Sequence, residues 1–408
     1  MTDADPAAAL RARAADLDAH DPLAHCRGEF DGEIRAYLDG NSLGRPVRAA
    51  ADALARFVPG EWGTGLIRSW DDGWFDLPLT LGDRLAAAVL GAAAGQTMVA
   101  DSTSVILYKL LRAAIAAAPA DRRVVVLDRE NFPTDRYLAE GVAAETGVEL
   151  RWIDPDPAAG VTADDLAAVL GSDVAVVLLS HVSYKSGYIA DLEGLTALAH
   201  EHGALVLWDL CHSAGVLDVR LDAADVDLAV GCTYKFLCGG PGAPAFGYVA
   251  ARHQAALTQP IQGWMGHADA FGMAQGYRPA EGMRRFLSGT PPILAMVPLT
   301  AALGLIEEVG IAAIRAKSIT LGRFVIEAAD ALLADLGVRV VSPRDDERRG
   351  GHVTVAHPGF RAVTARLWER DIVPDFRNPD GIRLGLSPLS TSYGEALDAV
   401  IAIREELR

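Results

Sequence analysis

Ala204-Leu205-Val206-Leu207-Trp208-Asp209-Leu210-Cys211-His212 is an apolar run that ends on a carboxylate. It has the length of a strand, and continuous apolarity rather than alternation predicts a strand covered on both faces. Working outward, the pattern recurs: residues 124–128, 148–153, 174–179, 204–208, 226–230 and 246–250 read as strands. Residues 133–146, 162–170 and 192–202 read as helices between them. Strands alternating with helices build βαβ units, so an α/β fold with a mainly parallel, helix-covered sheet is expected. Such sheets bind ligands beyond the carboxyl ends of their strands, which is where Asp209 stands.

After Pro291 the texture changes. Helices are expected over 291–309 and 311–336, strands near 338–341, 352–356 and 382–386, and helices at 363–370 and 393–407. A chain of 408 residues exceeds what one hydrophobic core usually holds. The expected division is an N-terminal segment, 1–45, packed with a small α+β lobe, 291–408, and a large lobe, 46–290.

The formal charge of -17 argues against nucleic acid and anionic membranes, both of which need basic patches. Met1-Thr2-Asp3-Ala4-Asp5-Pro6 has no apolar core and does not read as a signal peptide. The longest apolar stretch, 291–306, contains three prolines and falls short of the roughly 18–20 residues of a membrane span. Cys26, Cys211, Cys232 and Cys238 form neither a CxxC pair nor a disulfide framework, which fits reduced thiols and a cytoplasmic location. Of 37 basic residues only four are lysines: Lys109, Lys185, Lys235 and Lys317. Where arginine fills nearly every other cationic position, a retained lysine suggests an amine that must lose its proton.

Four segments carry chemistry. Asp101-Ser102-Thr103-Ser104 precedes a helical pattern, where hydroxyls and free N–H groups make either an anion site or a plain cap. Phe132-Pro133-Thr134-Asp135 follows a strand and offers an aromatic to stack on a planar ring and a carboxylate for a polar ring atom. Asp209 ends an apolar strand, and a buried carboxylate needs a partner. A pyridinium N–H is one, and His212 lies close by in the chain. Thr233-Tyr234-Lys235-Phe236 sets a lysine between an aromatic and an apolar residue, where desolvation makes an amine nucleophilic.

Together they supply a phosphate cradle, a stacking ring, a carboxylate for a ring nitrogen and an amine, an inventory for pyridoxal 5′-phosphate (PLP). Gly240-Pro241-Gly242-Ala243-Pro244-Ala245 imitates a dinucleotide fingerprint, but Pro244 would interrupt the helix that fingerprint must open. Asp209 and His212 lack a third residue at metal-ligand spacing, and no metal is expected.

At these residues the chain resembles the fold-type I PLP enzymes, and within them the kynureninases, from about Tyr37 to Tyr393. Tyr37-Leu38-Asp39-Gly40-Asn41-Ser42-Leu43-Gly44 is similar to that family's N-terminal signature. Gly263-Trp264-Met265-Gly266-His267, Gly289-Thr290-Pro291-Pro292 and Arg377-Asn378-Pro379-Asp380-Gly381-Ile382-Arg383 also match. The resemblance implies a large lobe with a seven-stranded-type sheet and a homodimer with shared sites. It places Thr103, Ser104, Tyr234 and Trp264 around the phosphate with Thr290 close by, and Phe132 on the ring. Asp135, Ser180, Asp209 and His212 would line the cofactor, with Asp209 on the pyridine nitrogen and Lys235 linked to it. Arg383 would hold the substrate carboxylate; Trp62 and Thr290 would flank its aryl end, with Trp264 and Thr290 open to serving the partner's site. The implied catalytic residues are Lys235, Tyr234 and Asp209. The implied reaction is hydrolysis of L-kynurenine to anthranilate and L-alanine in tryptophan catabolism, with weaker action on 3-hydroxykynurenine. Met265 stands where the family has phenylalanine, which bears on fine substrate preference. The alternatives are a class V aminotransferase and a cysteine desulfurase-like lyase; against the latter, no cysteine follows Cys238.

Overall fold

The computed structural model describes residues 6–408. The acidic start of the chain, residues 1–5, lies outside them. In chain order the strands are β1 (Ala36–Leu38), β2 (Thr97–Ala100), β3 (Val124–Asp128), β4 (Glu149–Ile153), β5 (Val174–Ser180) and β6 (Leu205–Asp209). They continue with β7 (Leu228–Gly231), β8 (Ala245–Val249), β9 (Arg339–Val340), β10 (His352–Ala356), β11 (Ile372–Arg377) and β12 (Gly381–Gly385).

The large sheet has seven strands in the order β2-β8-β7-β6-β5-β3-β4. Neighbours from β4 to β7 are parallel, while β8 runs antiparallel to both β7 and β2. The continuous apolar runs are explained by burial on both faces, because successive side chains point opposite ways. Val125, Leu127, Val176, Leu178 and Leu207 pack with the helix Thr103–Ala117 in one core. Val124, Val126, Val177, Val206 and Trp208 pack on the other side with the helix Leu192–Glu201. Register then brings three polar residues to one edge: β3 ends on Asp128, β5 on Ser180 opposite Asp209 of β6.

The small lobe has a five-stranded sheet in the order β1-β11-β12-β10-β9. Its core joins Leu10 and Ala14 of the N-terminal helix to Leu321 and Phe324 and to Val400 and Ile403. The boundary expected at residue 291 needs correction. The helix Ile293–Val309 buries Met296, Leu299, Leu303 and Ile306 in the large-lobe core, and the small-lobe core begins at Leu321. No single helix among the described residues is long and apolar enough to cross a membrane.

Three strands escaped the sequence reading. β1 has three residues and β2 four, too short to show a period. β11 holds Pro374, Asp375 and Arg377, which hide a strand whose Asp375 is paired with Arg377 and Arg383.

Candidate active site

Lys235 is 8% exposed and follows β7 in the loop to β8. The other three lysines are paired with carboxylates. Lys109 Nζ lies 2.5 Å from Asp101 Oδ2, Lys317 Nζ lies 2.8 Å from Asp21 Oδ2, and Lys185 binds Glu130. Lys235 is the only lysine among the described residues without an ion pair. Its Nζ lies 3.4 Å from His212 Nε2 and 5.7 Å from the Phe132 ring centroid. Burial and then the Lys235 charge hold His212 well below the ordinary histidine range, so the imidazole is neutral.

One cavity collects four pairs of expected residues: Thr103 with Ser104, Phe132 with Asp135, Asp209 with His212, and Tyr234 with Lys235. Cys211 and Thr134 complete its wall. At the Thr103 end the capping question has an answer. Ser102, not Thr103 or Ser104, caps the helix, accepting from the Val105 N–H at 3.4 Å. Thr103 Oγ1 is left buried without a partner. A free hydroxyl at a helix start suits a phosphate oxygen. Asp101, held at φ 46°, is tied to this helix by Lys109, which fixes how the strand feeds it.

At the carboxylate end Asp209 Oδ1 accepts from the Cys211 N–H at 2.7 Å, and Oδ2 lies 3.5 Å from Ser180 Oγ. Ser180 Oγ in turn donates to Asn131 Oδ1 at 2.7 Å. Burial, then the Asp209 charge, raises Asp135 well above the usual carboxylate range. Its Oδ2 is buried without a partner. Two adjacent carboxyls with an orphaned oxygen fit a cationic ring N–H, and an orphaned hydroxyl at the far end fits a phosphate. The residues present therefore suit PLP. Tyr234 stays a neutral phenol, raised by burial and by the Cys232 and Cys211 thiols.

Arg383, on β12, is 1% exposed. Its Nη1 donates to the Tyr184 carbonyl at 2.7 Å and its Nη2 to Ser42 Oγ at 3.0 Å, while Asp375 accepts from Nε at 2.7 Å. The N-terminal signature explains itself here. Ser42 reaches Arg383, and the Gly44 N–H donates to the Tyr234 carbonyl at 2.8 Å. A Cβ at Gly44 would lie 2.3 Å from the Lys235 carbonyl, so only glycine lets these backbones meet. The segment couples β1, in the small lobe, to the lysine loop in the large one.

Five expected residues do not line this cavity in the single chain: Ser180 lies behind Asp209 and lines a neighbouring cavity with Asn131 and Tyr184, and Arg383 stands outside the lining, as do Trp62, Trp264 and Thr290. Trp264 and Thr290 line a separate, open groove with Ile67, Trp70 and Phe271, and Trp62 is 52% exposed. Sequence reasoning missed Asn131, Asp375 and His352. Asn131 sits one residue before Phe132 and was findable as a polar residue after a strand. Asp375 lay in the concealed strand, and His352 was read only as the start of one; both of its ring nitrogens are buried without partners.

The kynureninase C-terminal domain family matches residues 314–403. Kynureninase of Pseudomonas fluorescens is 43% identical over 401 residues, covering 96% of this chain and 94% of that protein. Kynureninase of Burkholderia pseudomallei strain 1106a is 43% identical over 406 residues, covering 97% and 95%. The chain belongs to the kynureninase family. Among solved structures, a C-DES mutant with glycine covalently linked to its PLP cofactor aligns with TM-score 0.81 at 19% identity, covering 93% of this chain and 99% of that one. The apo cysteine desulfurase of Thermococcus onnurineus NA1 aligns with TM-score 0.78 at 19% identity, covering 96% and 97%. At that identity the likeness is one of fold, and it identifies a fold-type I architecture.

Proposed function

We propose that this chain is a PLP-dependent hydrolase that cleaves the Cβ–Cγ bond of L-kynurenine with water, giving anthranilate and L-alanine. The observation that carries the reading is Lys235: a buried amine without a carboxylate partner, in a cavity that has an orphaned hydroxyl at one wall and a carboxyl pair at another. Family membership over nearly the whole chain supports the substrate.

When bound, PLP supplies an aldehyde that links to amines and a protonated ring that withdraws electrons from the substrate Cα. Thr103 and Ser104 would hold the phosphate, Phe132 would cover the ring, and Asp209, backed by Ser180, would keep the ring nitrogen protonated. Lys235 Nζ would hold the cofactor through its aldehyde and, as a buried amine, would serve as the base for the substrate Cα proton. The neutral Tyr234 hydroxyl is suited to deliver a proton in the later steps. Arg383 would bind the substrate α-carboxylate through charge-assisted hydrogen bonds.

The reading extends to a cytoplasmic homodimer acting in tryptophan catabolism, with weaker action on 3-hydroxykynurenine. Support for the dimer comes from Trp62, Leu66, Ile67, Phe271 and Met273, large apolar side chains left between 52% and 77% exposed. Ile67, Phe271 and Met273 share the groove of Trp264 and Thr290. A contiguous exposed apolar patch marks an interface, and a second subunit there would carry Trp62, Trp264 and Thr290 toward a site. A desulfurase reading has less support, because all four cysteines are buried.

Incubating the PLP-loaded protein with L-kynurenine should produce anthranilate fluorescence with alanine in equal amount. Transamination without anthranilate would overturn the reading, and light scattering at monomer mass would overturn the dimer.

A further inference from the structure

Arg383, the residue assigned to the substrate carboxylate, already holds a carboxylate of its own chain. Asp375 and Arg383 are directly opposed in the antiparallel pair β11–β12, so sheet register fixes them on one face. A single oxygen, Asp375 Oδ2, accepts from both Nε and Nη2 of Arg383 and also lies 3.0 Å from Arg377 Nη2. It is wedged between two guanidinium groups. The Asn41 side-chain oxygen, in the orientation that satisfies both amide atoms, lies 3.2 Å from Nε and Nη2 as well.

An arginine has five N–H groups in a rigid plane. Nε spends its own on Asp375, Nη2 spends two on Asp375 and Ser42, and Nη1 spends one on the Tyr184 carbonyl. One Nη1 N–H remains, and with Tyr184 taking the outer one it would stand beside the Nη2 N–H held by the neutral Ser42 hydroxyl. An arriving carboxylate takes the free N–H and replaces the weaker hydroxyl partner, which gives a two-point contact across Nη1 and Nη2. That contact needs the guanidinium plane held from its opposite edge.

We infer that Asp375 is a positioning residue for substrate-carboxylate recognition: it fixes the plane of Arg383 from the Nε side and keeps Arg377 apart from it. This rests on the assignment of Arg383 to the α-carboxylate. The opposing arrangement would have Asp375 as an occupant that the substrate must expel, and the two differ in the sign of one measurement.

The probes are L-alanine and ethylamine, which is alanine without its carboxylate, each titrated into PLP-loaded enzyme and followed by cofactor absorbance. In Asp375→Ala the alanine dissociation constant should rise at least tenfold while that of ethylamine stays unchanged. Asp375→Asn keeps the shape and an acceptor oxygen without the charge, and should weaken alanine about threefold, which serves if the alanine variant does not fold. Alanine binding that is unchanged or tighter, or an equal loss for both ligands, overturns the inference. Arg383→Ala separates the two readings. If it abolishes the preference for alanine while the Asp375 variants leave it intact, only the role of Asp375 falls; if Arg383→Ala leaves the preference intact, both fall.

Discussion

Asp209 and Asp227 are both buried, and they stand at opposite ends of the same parallel pair, β6 and β7. Asp227, just before β7, has both oxygens saturated. Oδ1 accepts from Arg252 and His253, each at 2.7 Å; Oδ2 accepts from His200 and the Val206 N–H, each at 2.8 Å. Asp209, at the end of β6, has one good backbone donor, a hydroxyl at 3.5 Å and a second carboxyl beside it. Burying a carboxylate costs several kcal/mol unless it is paired. At the amino edge the chain supplies the partners and the group serves the fold. At the carboxyl edge the partners are withheld, which leaves charge and orphaned atoms for a ligand to satisfy. On the proposed function, the difference separates a structural site from a functional one on geometry alone.

The comparison breaks first at the carboxyl edge. If one amine is both anchor and base, as proposed, Lys235→Ala should lower anthranilate production by about 10⁴-fold or more. Its urea midpoint should stay near that of the parent, since Lys235 holds no ion pair. A variant that unfolds instead would make Lys235 structural. At the amino edge the outcome inverts. Asp227→Ala leaves the buried Val206 N–H without its acceptor and takes the shared partner from Arg252, His200 and His253, which are themselves partly exposed, and should cost about 2–3 kcal/mol in urea unfolding, with kcat of the folded fraction unchanged.

Acid sharpens the same contrast. Burial pushes Asp227 up, but hydrogen bonds from His253, His200 and Val206 more than offset it and hold its pKa at about 2, below the ordinary 3.8. The unfolded chain therefore takes up this proton more readily than the folded one. The contribution to stability, roughly 2 kcal/mol, is complete above about pH 4 and is lost as the pH falls from there toward 2. Urea titrations over that window should show this slope in the parent and lose it in Asp227→Asn. An equal slope in both would place the acid sensitivity elsewhere.

Much of the carboxyl edge was legible in the sequence because Phe132, Asp135 and Asp209 end or follow strands that read as unbroken apolar runs, whereas β2, which leads to Thr103, was not seen. Asp209 and Lys235 were read from their position alone, and the scarcity of lysine pointed to the second. Asp227 was invisible because its partners come from three separate elements, the helix Leu192–Glu201, β6 and the helix Ala251–Gln254. Local pattern carries no signal for a cluster assembled that way. Asp375 was hidden for a related reason. A strand that pairs its charges internally, and contains a proline, does not alternate, so neither period nor propensity marks it. The helix Ile293–Val309 was read correctly as a helix and assigned to the wrong lobe, since apolarity says that a face is buried and not which core buries it.

The smallest effect tests the idea at its source. If Asp209 is held for a ligand rather than for the fold, then removing its charge from the PLP-free protein should not destabilise it. Asp209→Asn keeps the oxygen that accepts from the Cys211 N–H and removes the like charge that, after burial, raises Asp135. The remaining buried carboxyl then has no like charge beside it. The PLP-free variant should be as stable as the parent or more stable by up to about 1 kcal/mol, while the PLP-loaded variant loses most of its activity. The sign matters more than the size. A loss of several kcal/mol, like that expected at Asp227, would mean that both ends of these strands serve the fold equally, and that the unsatisfied atoms at the carboxyl edge do not mark a binding site.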